Sequence, residues 1–157
     1  ITPVTDHNNV LFDTDHFLVA KFLKPRRWDI VVFRFPEDPS IYHVKRVVGL
    51  PGEEIIIKDG QIMVNNKILI PPDAIRGIKY SSQFSWKTTD IWGSPDRPAK
   101  LAYDEYFVLG DFSEQSEDSR FWQHGAPGHN SFAVPESYLD GVVTHIYYPL
   151  SRLRTFR

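Results

Sequence analysis

The sequence predicts a mainly β domain, and three observations predict it. Apolar residues recur with a period of two in short runs, an Asp-Gly pair separates two of those runs, and sustained helical periodicity is scarce. Residues 16–23 (HFLVAKFL) are rich in apolar residues on both faces, and 29–35 (DIVVFRF) are β-branched and aromatic, as a pleated surface favours. Three further runs, 53–58, 61–65 and 67–70, are separated by Asp59-Gly60 and Asn65-Asn66, so 53–70 reads as an antiparallel meander with a tight hairpin turn at Asp-Gly. Residues 105–109 and 142–148 complete the strand set. Pro135-Glu136-Ser137-Tyr138-Leu139 suits one helical turn, with proline at its start and Gly141 just past its end.

Composition narrows the function classes. A chain of 157 residues is about one domain (1–157), and 41% hydrophobic with 14% aromatic content is enough to bury a core. A formal charge of −2 argues against a dedicated nucleic-acid surface or a polybasic membrane patch. No cysteine is present, which removes a disulfide framework, a thiol nucleophile and a cysteine zinc site. No run reaches the roughly 18 apolar residues that cross a bilayer. The expectation is a soluble chain, or a piece whose membrane anchor lies outside it. Residues 71–100, with Pro71-Pro72, Pro95, Pro98, Trp86 and Trp92 and no sustained period, read as an insertion ordered through its aromatics.

Two stretches carry candidate chemistry. In Lys45-Arg46-Val47-Val48-Gly49-Leu50-Pro51-Gly52-Glu53, a lysine closes an apolar strand before a Gly-Leu-Pro-Gly turn. Such a lysine is either a solvated charge or, if desolvated beside β-branched residues, a general base, because burial disfavours the ammonium. In Leu109-Gly110-Asp111-Phe112-Ser113-Glu114-Gln115-Ser116-Glu117-Asp118-Ser119-Arg120, serine, aspartate and arginine follow a strand. They form either a polar loop with a surface ion pair or a buried, hydrogen-bonded pair that fixes a neighbour.

In this order and separation the two stretches resemble the bacterial type I signal peptidases, which cleave signal peptides from exported proteins at the outer face of the membrane with a serine–lysine dyad. The resemblance covers most of the chain. Asp29-Ile30-Val31-Val32-Phe33 is similar to the family's strand segment, where Trp28 replaces the usual glycine. KRVVGLPGE resembles the box of the lysine base, which would be Lys45, and GDFSEQSEDSR the box beginning at Gly110-Asp111 whose Ser116, Asp118 and Arg120 brace that lysine. The segments Ala133-Val134-Pro135 to Gly141-Val142-Val143 and Tyr148-Pro149-Leu150-Ser151-Arg152 resemble the family's end. The resemblance implies coiled antiparallel sheets, no cofactor, no metal, an extended signal peptide or preprotein as partner, and attachment to the extracytoplasmic face of the cell membrane by N-terminal helices outside this chain.

One box departs from the family. Its Ser-Met-x-Pro-Thr-Leu, anchored by Leu11 and Asp15, falls on Asp6-His7-Asn8-Asn9-Val10-Leu11. The serine position is therefore Asp6, and the position two before it, which in many members offers a hydroxyl to the oxyanion, is Val4. A carboxylate a few ångströms from Lys45 favours the ammonium, so the expectation is an Asp6–Lys45 ion pair and a non-catalytic homologue that binds signal peptides by strand pairing or partners an active paralogue. A one-residue shift would place Thr5 at the site as a working nucleophile; an acidic or metal-assisted hydrolase built from Asp6, Asp13, Asp15, His7 and His16 is the remaining enzymatic alternative to a polar surface segment. His124 and His129 are expected to be exposed, and Phe121, Trp122, Trp86 and Trp92 to be core or loop anchors.

Overall fold

The computed structural model describes residues 15–81, 91–112 and 116–156. Eleven strands appear among them: β1 (His16–Ala20), β2 (Ile30–Phe35), β3 (Asp38–Gly49), β4 (Glu54–Lys58), β5 (Gln61–Val64), β6 (Lys67–Ile68), β7 (Ala99–Lys100), β8 (Glu105–Leu109), β9 (Val134–Pro135), β10 (Leu139–Tyr148) and β11 (Arg154–Thr155). All named pairings are antiparallel. The larger sheet runs β1-β10-β2-β3-β8-β9 with β11 on β10; the smaller runs β6-β5-β4-β7.

Local chemistry sets the turns. Asp59 and Gly60 have φ of 51° and 76° and join Lys58 to its partner Gln61; Asn65 and Asn66, at 49° and 64°, join Val64 to Lys67. Positive φ at both central residues is the two-residue hairpin geometry that matches strand twist. At Leu50–Glu53, Pro51 supplies its fixed φ and Gly52 sits at φ 80°, and the Glu53 N–H donates to Leu50 O at 3.2 Å. The meander expected over 53–70 is thus present.

Alternation along the strands divides the core. In β2, Val31 and Phe33 join Val47, Tyr106, Val108, Trp122, Val134 and Val142, while Ile30 and Val32 join Val143 on the opposite face. In β8, Phe107 and Leu109 turn the other way and meet Ile55, Ile57 and Ile62 of the smaller sheet. The two sheets are joined through that cluster.

Three boundaries differ from the sequence expectation. β1 stops at Ala20, opposite Val142, and Phe22 beyond it is fully exposed. The helical turn is a 3-10 turn over Glu136–Tyr138, and β10 already begins at Leu139. Gly141 therefore lies inside a strand rather than past a helix; a Cβ there would come within 2.6 Å of Val19 and 2.8 Å of Ala20 O, so close packing of β1 on β10 requires glycine. Within 71–100, a 3-10 turn spans Asp73–Ile75, Ile75 and Tyr80 are buried, Trp92 packs against the core and β7 pairs with β4; Trp86 lies outside the described residues.

Candidate active site

Lys45 does not close its strand. β3 continues through buried Val47 and Val48 to Gly49, and Lys45 stands mid-strand opposite Val31 while its neighbour Arg46 pairs with Leu109 of β8. Apolar residues on both flanks keep the strand going past the two charges, which is why charge alone misplaces its end. Adjacent side chains on a strand point to opposite faces, so Lys45 and Arg46 serve different networks.

The Lys45 ammonium lies 2.8 Å from Ser116 Oγ. Both residues are half-buried. Burial holds the Lys45 pKa below the ordinary lysine value and outweighs the nearby carboxylates of Asp118, Glu117 and Asp111; the Arg120 charge adds to the depression. A lysine whose pKa is lowered by burial, in hydrogen-bond contact with a hydroxyl, has the placement that a general base requires.

Asp118 and Arg120 form the floor beneath this pair. Both are completely buried, which decides against a surface ion pair. Arg120 Nε and Nη2 donate to Asp118 Oδ1 and Oδ2 at 2.8 Å each, and Arg120 Nη1 donates to Ser81 O at 2.7 Å. Asp118 Oδ2 also accepts the Gly110 N–H at 2.9 Å. A fork-to-carboxylate pair that also reaches the Ser81 carbonyl and the Gly110 N–H fixes the turn that carries Ser116. At Gly110 a methyl group would fall on the Ser116 side chain, so the residue type is dictated by the approach of Ser116.

Asp111 belongs to the other network. It accepts Arg46 Nε at 2.8 Å and Nη2 at 2.6 Å, and the Tyr80 hydroxyl at 3.4 Å, while Arg46 Nη1 donates to Trp28 O at 2.8 Å. Burial together with Asp111 pushes the Tyr80 hydroxyl well above the usual phenol range. This clamp ties the strand of Lys45 to the segment of Ser116 from the opposite face.

Sequence reasoning named Lys45, Ser116, Asp118, Arg120 and Asp111, and all five meet within these two networks. Arg46, Tyr80 and Gly110 were not singled out; for Arg46 the signal was available, since a charged residue next to Lys45 in an apolar strand must find a partner on the far face. His43 was also missed. It lies two residues before Lys45, its ring stacks on Phe35 at 4.6 Å, and burial, then the Lys45 charge, lowers its pKa. Val4, Thr5 and Asp6, with the expected Asp6–Lys45 ion pair, lie outside the described residues, as do His7 and Asp13.

Two expectations are corrected. Asp15 is not a surface residue: its side chain is fully buried and pairs with Arg152 at 3.1 Å, a contact between distant parts of the chain. His129 is not exposed like His124; its Nδ1 lies 3.2 Å from the buried Glu105 carboxylate, within a loop folded back over β8. Phe121 and Trp122 are core residues as expected.

A family model described as signal peptidase, peptidase S26, matches residues 2–148. The chain is 36% identical over 119 residues to the signal peptidase I of Rickettsia typhi, covering 62% of this chain and 45% of that protein. It is 32% identical over 156 residues to the signal peptidase I of Leptolyngbya laminosa, covering 88% and 63%. The chain thus spans about half the length of the relatives it matches. A crystal structure of a signal peptidase I from Enterococcus faecalis superposes with a TM-score of 0.56 at 27% identity, over 78% of this chain and 98% of that one.

Proposed function

The chain belongs to the signal peptidase family, peptidase S26, and from that premise we propose that it binds signal peptides or preproteins at the outer face of a membrane without cleaving them through residue 6. The observation that carries this reading is the residue at the family's nucleophile position. Counted back from Leu11 and Asp15, that position holds Asp6, and a carboxylate has no hydroxyl proton for a lysine base to remove. The burial of Asp15 against Arg152 suits its use as a fixed point in that register. His7 for methionine, Asn9 for proline and Val4 at the oxyanion position mean that the loss is not one substitution deep. The Lys45, Ser116, Asp118 and Arg120 constellation supports a domain kept folded around the site. Extended-strand binding needs backbone groups and side-chain pockets but no nucleophile. An active peptidase of the same family is the natural partner for such a binder.

The test is a peptide bearing small residues before the bond that a signal peptidase would cut. Saturable binding to the intact chain with the peptide recovered whole is expected. Cleavage at rates typical of the family overturns the reading. Asp6→Ser alone is expected to rescue little, because His7, Asn9 and Val10 remain altered.

A further inference from the structure

Lys45 has a hydroxyl partner that does not depend on residue 6. We propose that Lys45 and Ser116 form a self-sufficient serine–lysine pair in which Ser116 Oγ is the acyl acceptor, acting on activated esters. The inference takes the location of the site from the proposed function and departs from it at Lys45: it needs the amine neutral, so it replaces the Asp6–Lys45 ion pair expected from the sequence rather than coexisting with it.

Three features of the geometry carry it. Lys45 Nζ donates to Ser116 Oγ at 2.8 Å, and with the amine neutral the same separation lets the hydroxyl donate instead. Lys45 is held in a paired strand, opposite Val31 of β2 and next to Arg46, which pairs with Leu109 of β8, and Ser116 is two residues before the fully buried Asp118. Ser116 is half-buried rather than sealed in, and the proposal requires its hydroxyl to be open to a small carbonyl compound. The absent side chain at Gly110 is what lets Ser116 lie against the amine. A bracing hydrogen bond needs the first of these features; it does not need an accessible hydroxyl.

The step balances. The neutral Lys45 amine takes the Ser116 proton as Oγ bonds to the carbonyl carbon. The tetrahedral adduct collapses, the bond to the leaving alcohol breaks, and that alcohol takes the proton from Lys45. Water, activated by the same amine, then hydrolyses the acyl-serine, releasing the acid and restoring Ser116.

The experiment uses the intact chain with 4-nitrophenyl acetate, following nitrophenolate release and mapping acetyl groups after an acid quench. Release is expected to fall about 100-fold in Lys45→Met, the lower end of what a general base supplies. It should fall to the level of denatured protein in Ser116→Ala, with near-UV circular dichroism confirming that both variants are folded. The rate should rise with pH around a midpoint below the ordinary lysine value of 10.5. Acetyl found on Ser116, or release that requires Ser116, supports the inference. Release equal to that of folded Ser116→Ala, or acetyl only on Thr5 or the Lys45 amine, overturns it. Peptide binding in the assay above without Ser116-dependent release sinks this inference alone. Ser116-dependent release without peptide binding sinks the binding function alone.

Discussion

Gly110 and Ser116 face each other with no room for a side chain at position 110: a methyl group there would overlap Ser116 and stand 3.5 Å from the Lys45 amine. The glycine is therefore a spacing device for the Lys45–Ser116 hydrogen bond, with its own N–H held by Asp118. Gly110→Ala is expected to push Ser116 away from Lys45 and to destabilise the fold by roughly 1–3 kcal/mol, the range for overpacking. Denaturant unfolding measures the stability, and nitrophenolate release the separation. A variant with both unchanged would mean that the turn carrying Ser116 yields freely.

The Asp118–Arg120 pair predicts an asymmetric mutant cycle. Both side chains are fully buried, so removing the arginine leaves an uncompensated carboxylate, expected to cost about 3–5 kcal/mol. Arg120→Met should accordingly be worse than the double variant Arg120→Met/Asp118→Leu, in which neither charge remains. Chemical denaturation of the single and double variants reads the coupling. Additive effects would show that Asp118 finds adequate partners in the Gly110 N–H and the turn backbone.

Much of this fold was legible locally. Asp59-Gly60 announces a hairpin because both residues tolerate positive φ, and β2 announces itself by its unbroken β-branched run. The two boxes around Lys45 and Ser116 were legible by resemblance. What was hidden was non-local. β3 is exposed over its first residues and carries two charges at its centre, so neither its start at Asp38 nor its passage through Lys45 shows as a period. The burial of Asp15 depends on Arg152, and that of Glu105 on a loop 24–25 residues later. A carboxylate's burial is decided by donors that arrive from elsewhere in the chain, and no window of sequence contains them.

Glu105 gives a pH prediction. Its carboxylate is only 1% exposed yet accepts the Ala102 N–H at 2.9 Å, the Asn130 N–H at 2.8 Å and Asn130 Nδ2 at 2.7 Å, with His129 Nδ1 at 3.2 Å and Asp104 nearby. Burial by itself would raise its pKa; the hydrogen bonds overcome that and hold it below the ordinary glutamate value of 4.5. A depressed folded pKa contributes stability that is full above the unfolded value and is lost as pH falls through the folded one. Glu105→Gln should therefore cost about 2–3 kcal/mol at pH 7, where an amide group faces N–H donors. The gap between variant and wild type should narrow as pH drops below 4.5. Unfolding curves at pH 7 and pH 3 make the comparison; a gap that stays constant would mean that the carboxylate's charge is not what these donors stabilise.

Trp28 stands where the resemblance leads one to expect glycine, and its backbone has the conformation that favours glycine. It has φ of 75°, a left-handed conformation that costs a side-chain-bearing residue about 1–2 kcal/mol. The conformation is imposed from both sides: the Trp28 N–H donates to Val47 O at 2.8 Å, its carbonyl accepts Arg46 Nη1 at 2.8 Å, and the Asp29 N–H donates to Arg26 O at 3.1 Å. The indole offsets part of the strain by packing against the core that joins the two sheets. Trp28→Ala removes the ring and keeps the strain, whereas Trp28→Gly removes the ring and the strain together. Glycine's greater unfolded-state freedom works against it by roughly 0.5–1 kcal/mol, so the glycine variant should be the more stable of the two by about 1 kcal/mol or slightly less. That order reverses the usual one within strands and helices. Urea unfolding of the two variants decides the matter: an alanine variant equal to or more stable than the glycine one would mean that residue 28 leaves the left-handed region once the indole is gone, and that the ring rather than the Arg46 and Val47 hydrogen bonds sets this turn.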